Sequence, residues 1–249
     1  MLYYCNMKND ITKYFHSSKP FTKNDLLDYY LQTEKSVNNN TLLYRIAKLK
    51  KDNIIKSIGK GIYLITNKKI FQPEPDNLMQ KMKKIFSSTY ADINYCIWKS
   101  NSLYSFMLHQ PFTSFYVFEV EKDILKETFN LFKDNGLNAY YQPTEEIVDD
   151  YLSYAKNAII IKPLISKSPI YLSKSVNMAS IEKILADIYY DREIYPVFNL
   201  SEQKNIFENI NENYVLNFSK LFTYSGRRSA KNEYKEFIET NFENLVYKK

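Results

Sequence analysis

Apolar positions recur every three or four residues through the first fifty positions of the chain. Met7, Ile11 and Phe15 fall four apart with Tyr14 beside them, which predicts an amphipathic helix over residues 6–16. Thr22 then stands three residues before Asp25, pairing a hydroxyl that caps a helix start with a carboxylate suited to its positive end. Leu26, Leu27, Tyr29 and Tyr30 supply the buried side of this second helix. A polar turn over 35–39, with Asn39 or Asn40 as cap, leads into a third helix over 41–51, where Leu42, Ile46 and Leu49 at i, i+4 and i+7 face inward. Two β-rich runs, 54–58 and 62–65, flank Gly59-Lys60-Gly61 and predict a hairpin with Lys60 at its tip. Three helices followed by a glycine-marked hairpin form the element order of a winged helix-turn-helix over residues 1–70.

The pattern changes at Gln72-Pro73-Glu74-Pro75-Asp76, a break that helix cannot cross. Beyond it Leu78, Met82, Ile85 and Phe86 mark a bridging helix. Residues 94–98 and 114–120 are rich in β-branched and aromatic side chains and predict strands. A helix from Asp123 to about Asn135 carries Ile124, Leu125, Phe129 and Phe132 and stops at Gly136. Residues 138–142 and 158–162 are further strands. From Met178 the chain turns helical, with Ser180 at the start and Ile181, Ile184, Leu185 and Ile188 as the apolar stripe. Helices over 202–211, 214–225 and 229–245 follow, with Phe207, Leu216, Leu221, Phe222, Tyr234, Phe237 and Phe242 as their core seam. The expected fold is α+β: a winged helix-turn-helix at 1–70, then a mixed α/β domain at 71–249 with a helical C-terminal cap.

Charge divides the chain at the same place. Residues 1–70 hold 13 Lys/Arg against 5 Asp/Glu, whereas the remainder holds 21 against 23. A cationic module suits DNA, because Lys and Arg that neutralise phosphates release condensed counterions. In a helix-turn-helix the second helix of the motif enters the major groove. Asn40, Thr41, Tyr44, Arg45 and Lys48 are therefore the expected readers, Arg45 for guanine and Asn40 for adenine. Lys48, Lys50 and Lys51 are placed for phosphates, and Lys60 for the backbone or minor groove.

The other composition signals are mostly exclusions. Cys5 and Cys96 lie far apart outside any Cys/His cluster, so neither a disulfide framework nor a zinc site is expected. No signal-peptide core follows Cys5 and no run reaches the ~20 apolar residues of a membrane span, which predicts a cytoplasmic protein with no membrane partner. Phosphate-cradle, dinucleotide, metalloprotease and nucleophile-elbow motifs are absent, so no cofactor, metal or catalytic residue is expected. His16 and His109 have no third ligand nearby. A metal nuclease would need a lysine where Glu121 stands in Glu119-Val120-Glu121. A nucleotidyltransferase would need a second carboxylate near Asp92. Gly226-Arg227-Arg228 is a second cationic spot that could contact a partner, and Glu145-Glu146 with Asp149-Asp150 forms an acidic loop for a basic one.

Two sets of residues resemble the AbiEi-type antitoxins of type IV toxin–antitoxin systems linked to phage defence. In the head these are Phe21-Thr22-x-x-Asp25-Leu26, Thr41-Leu42-x-x-Arg45-Ile46-x-x-Leu49 and Gly59-Lys60-Gly61-Ile62-Tyr63, where that family usually carries Arg-Gly-x-Tyr. In the body it is Ala179-Ser180-Ile181-Glu182-Lys183-Ile184-Leu185-Ala186-Asp187. The resemblance implies a non-enzymatic repressor of its own promoter that also counters a cognate nucleotidyltransferase-like toxin. The alternatives are a stand-alone repressor sensing a small molecule and a metal-dependent nuclease.

Overall fold

The computed structural model describes residues 11–16, 19–144, 155–230, 232–243, 245 and 247. The head begins with helical residues 11–14, followed by β1 (Phe21–Thr22), α1 (Lys23–Leu31), α2 (Asn39–Lys51), β2 (Lys56–Gly59) and β3 (Ile62–Leu64). These strands form an antiparallel sheet of order β1-β3-β2. Ile11, Phe15, Leu26, Leu42, Ile46 and Leu49 close into one core with Phe21, Ile54 and Tyr63, so the apolar stripes meet as their spacing requires. Met7, the first member of its stripe, lies outside the described residues.

Local chemistry sets the helix starts. Thr22 Oγ1 accepts from the Asp25 amide at 3.2 Å, while the Asp25 carboxylate accepts from the Thr22 amide at 2.6 Å, a reciprocal capping box. Thr22→Ala should lower unfolding stability by about 1 kcal/mol, read from the urea midpoint; an unchanged midpoint would show the box to be idle. The cap of α2 is Asn38, one residue before the expected Asn39 or Asn40: its side-chain oxygen accepts from the Thr41 amide at 2.8 Å. The hairpin turns through Lys60 and Gly61, and Gly61 takes φ +70°, where a side chain would be strained.

The body is a six-stranded mixed sheet of order β6-β7-β5-β4-β9-β8: β4 (Tyr95–Lys99), β5 (Phe115–Val120), β6 (Ala139–Tyr141), β7 (Ala158–Pro163), β8 (Ile170–Ser173) and β9 (Val176–Ala179). β5 runs antiparallel to β4 and parallel to β7, placing Glu119 opposite Cys96 on one side and Lys162 on the other. On one face Tyr95, Ile97, Phe118, Ile159 and Ile161 pack with α3 (Asn77–Thr89) and α4 (Leu125–Asp134). On the other, Cys96, Trp98, Val117 and Ile160 pack with the C-terminal helices α5 (Ile181–Tyr190), α6 (Leu200–Asn213), α7 (Phe218–Arg228) and α8 (Glu233–Asn241). The fold is thus α+β with a mixed sheet and a helical C-terminal region. Strands covered on both faces explain the continuous apolar runs.

Several boundaries differ from the periodicity. Met178 and Ala179 are strand rather than helix start, because β9 pairs in parallel with β4 through Ile97 and Met178; β8 and β9 are strands beyond those the sequence analysis expects. Tyr214 does not open a helix. It bridges to Lys69, and α7 starts four residues later behind an Asn217 cap. The last helix spans only Glu233–Asn241.

The proline segment is fastened to the body. Asp76 caps α3 and also accepts from Lys99 Nζ at 3.0 Å and Tyr116 Oη at 2.8 Å, while Pro73 O accepts from Tyr171 Oη at 2.8 Å. Head and body touch through Ile58, Leu64 and Val215, with Lys68 Nζ donating to Asn211 O at 2.6 Å and the Val215 amide to Lys69 O at 2.9 Å.

Candidate nucleic-acid interface

Helix α2 lies at the surface, with only Leu42, Ile46 and Leu49 buried. At 3.6 residues per turn the stripe opposite those three is Asn40, Tyr44, Ala47 and Lys51. All four are exposed, Tyr44 by 68%. Leu43, 46% exposed, and Lys50 border one side of this stripe.

The opposite flank is engaged inside the head. Arg45 donates to both oxygens of Glu34, at 2.7 and 3.0 Å, and its guanidinium lies 4.3 Å from the centre of the Tyr30 ring. A guanine contact by Arg45 therefore requires opening a bidentate fork whose strength rests on paired charged hydrogen bonds. Thr41 and Lys48 are half-buried on this flank. Lys50 Nζ rests 5.0 Å from the Tyr63 ring centre. Lys60 is exposed at the hairpin turn, whose Gly61 carbonyl accepts from the Lys23 amide at 2.9 Å. Asn40, Tyr44, Lys51 and Lys60 thus remain open to a ligand, and Arg45 doubles as a structural clamp.

The body's C-terminal cationic spot divides in two. Arg227 is exposed, but Arg228 turns inward, its guanidinium 2.6 Å from Asp191 and 3.8 Å from Asp187. Arg228 is therefore corrected from a partner contact to an internal ion-pair residue, because two carboxylates beneath α7 already hold it. The acidic loop at 145–150 falls outside the described residues. Leu108 and His109 amides cap the buried Glu202 carboxylate at 3.0 Å each, and His109 Nδ1 adds 2.8 Å. Burial pushes that carboxyl up, yet these hydrogen bonds outweigh it and hold Glu202 low.

Arg228 belongs to a buried cluster that draws Glu119, Lys183 and Asp187 together from segments the sequence analysis read separately. Lys183 Nζ, fully buried, contacts Glu119 at 2.5 Å, Asp187 on its own helix and Tyr224 Oη at 3.1 Å. Lys162, beside Glu119 in the sheet, pairs with Asp191. Three carboxylates, Glu119, Asp187 and Asp191, face three cations, Lys162, Lys183 and Arg228, so the cluster is balanced. Burial and the Asp187 charge push Glu119 up to about 7 against the pull of Lys183. Burial likewise opposes the ionised form of Asp187, but Lys183 and Arg228 outweigh it and hold Asp187 low. Spacing gave no signal of the cluster, since Glu182, Lys183 and Asp187 fall off the apolar stripe of a helix whose residues 181–188 the fold buries throughout. Glu119, the acid of the nuclease alternative, is sequestered here, and no group of three or more His, Cys, Asp or Glu among the described residues is arranged to hold a metal ion. Among the same residues no helix is long and apolar enough to cross a membrane.

A comparison with curated proteins gives no match. Residues 41–244, from the first turn of α2 to beyond α8, match the family described as "Family of unknown function (DUF6577)". That span includes most of the chain, the exposed helix, the hairpin, the six-stranded sheet and the buried cluster alike, and the chain accordingly belongs to the DUF6577 family.

Proposed function

We propose that this protein is a DNA-binding transcriptional regulator whose head works as a winged helix-turn-helix. The observation that carries this reading is the open stripe Asn40, Tyr44, Ala47 and Lys51 on α2, set in a module with 13 Lys/Arg against 5 Asp/Glu. The β1-β3-β2 sheet, α1, α2 and helical residues 11–14 supply the parts such a head needs. Along the groove, Asn40 addresses a base edge, Tyr44 packs on the duplex, and Lys51 and Lys60 reach phosphates. The AbiEi-type resemblance supports the further reading of an autorepressing antitoxin whose partner is a nucleotidyltransferase-like toxin. Co-expression tests this: growth restored by the protein in cells poisoned by such a toxin supports it, and continued killing leaves a repressor alone.

One feature favours the second reading, a repressor that senses a small molecule. A cavity of about 240 Å³ opens where the proline segment crosses the ends of β4 and β9, lined by Asp76, Trp98, Lys99, Ser102, Met178 and Ile184. Among the described residues the buried Trp98 Nε1 has no hydrogen-bond partner.

The head is tested by fluorescence anisotropy of the full chain on its own promoter duplex. Tyr44→Ala with Lys51→Ala should weaken binding at least about tenfold, since a base or phosphate contact contributes about 1–3 kcal/mol. Retention of full affinity by the double variant would remove α2 as the reading element.

A further inference from the structure

The cationic surface of α2 does not stop at its C terminus. Past Lys50 and Lys51 the chain turns through Asn53 into β2, and here the head meets segment 66–72 and the elbow between α6 and α7. Two adjoining cavities of about 220 and 460 Å³ occupy this seam and share Asn53, Lys56 and Ile70. Lys50 and Lys220 line the first, and Lys68 and Lys69 the second.

Five lysines from four separate segments therefore line one groove. The lining carboxylate, Glu182, accepts from Ser180 Oγ at 2.6 Å and from the Asn217 amide at 3.0 Å, a single negative charge against the lysines of the two cavities. Three of the lysines are held by neutral groups. Lys56 Nζ donates to Asn53 Oδ1 at 2.5 Å, Lys68 Nζ to the Asn211 carbonyl at 2.6 Å, and Lys50 lies over Tyr63. Among the described residues none of the five is in a salt bridge, and each ammonium keeps donors to spare. Burial pushes Lys68 down, opposed in part by Glu212, so a bound anion would stabilise its charged form. An excess of clustered cations over available carboxylates raises a local positive potential that a polyanion relieves.

We infer that this seam groove is a second phosphate-backbone site, through which the junction of head and body holds the same duplex that α2 reads. The inference rests on the DNA-binding reading of the head. It adds that Lys56, Lys68, Lys69 and Lys220 carry affinity without sequence preference, because phosphates are alike at every base pair. The seam is fastened by the Lys69 to Tyr214 bridge and the Ile58, Leu64 and Val215 contact, so the site is present before DNA arrives.

The test uses the full chain and the anisotropy of a labelled promoter duplex over a range of salt concentrations. Lys56→Gln, Lys69→Gln and Lys220→Gln together should flatten the log–log salt dependence by about 0.9 for each phosphate that is no longer neutralised. Affinity should fall more than tenfold at low salt, while the preference for promoter over scrambled duplex stays as it was. Lys68 is spared because its hydrogen bond to Asn211 helps fasten the seam. An unchanged slope and affinity in this triple variant, with Tyr44→Ala plus Lys51→Ala still weakening binding, would overturn the seam site and leave the head intact. Absence of duplex binding by the unaltered chain would overturn the head reading and the seam site together.

Discussion

Lys183→Met should destabilise the fold by about 3–5 kcal/mol, the cost of breaking a buried ion pair from one side. The Lys183 side chain is fully buried and holds Glu119 and Asp187 on opposite elements, one on β5 and one on α5. Methionine nearly matches its volume and removes only the ammonium, so packing changes little and two buried carboxylates lose the cation they share, leaving only the more distant Lys162 and Arg228 to offset them. Urea unfolding at pH 7 reads the change. Adding Glu119→Gln to the methionine variant should recover part of the loss, because one stranded carboxylate then carries no charge. A Lys183→Met protein as stable as its parent would show that the cluster is not ionised as its geometry implies.

Glu119→Gln by itself should change how stability depends on pH. Burial, joined by the Asp187 charge, lifts this carboxyl from its ordinary 4.5 to about 7 in the folded chain. Between those values the folded state holds a proton that the unfolded state has released, so stability falls as pH rises. The contribution of Glu119 is therefore complete below about 4.5 and lost as pH climbs through about 7, a span of about 3 kcal/mol at most. The glutamine variant should be flatter across that window, measured as urea midpoints at pH 5, 6, 7 and 8. Asp187 works in the opposite sense at lower pH: its depressed carboxyl contributes above the ordinary carboxylate range and loses that contribution in acid. It does not mask the Glu119 window. Parallel profiles for parent and Glu119→Gln would sink the assignment.

Both predictions concern residues the sequence named for other reasons, Glu119 for a nuclease alternative and Lys183 within a segment of family resemblance, whereas the apolar positions of α2 are where the spacing puts them. Leu42, Ile46 and Leu49 are buried and Tyr44 is open because a helix fixes which side chains share a face, whatever surrounds it. The same holds for the capping box at Thr22 and Asp25, for Gly61 in its left-handed turn, and for Gly136, whose φ of +70° ends α4. Arg45 shows the limit of that reasoning. Its helix position allowed a groove contact, but Glu34, eleven residues earlier, closes on it only because the turn between α1 and α2 brings them within 2.7 Å.

Local periodicity alone thus determined the head's helices and hairpin, the central strands β4, β5 and β7, and the concentration of positive charge before residue 70, since each depends on neighbours a few positions apart. Tertiary structure alone decided that β8 and β9 are strands, that Arg228 turns inward, that Glu119 lies between Lys162 and Lys183, and that lysines from four segments share one groove. Those outcomes depend on strand register and helix docking across long separations, where a charge meets its partner by geometry that no spacing along the chain encodes.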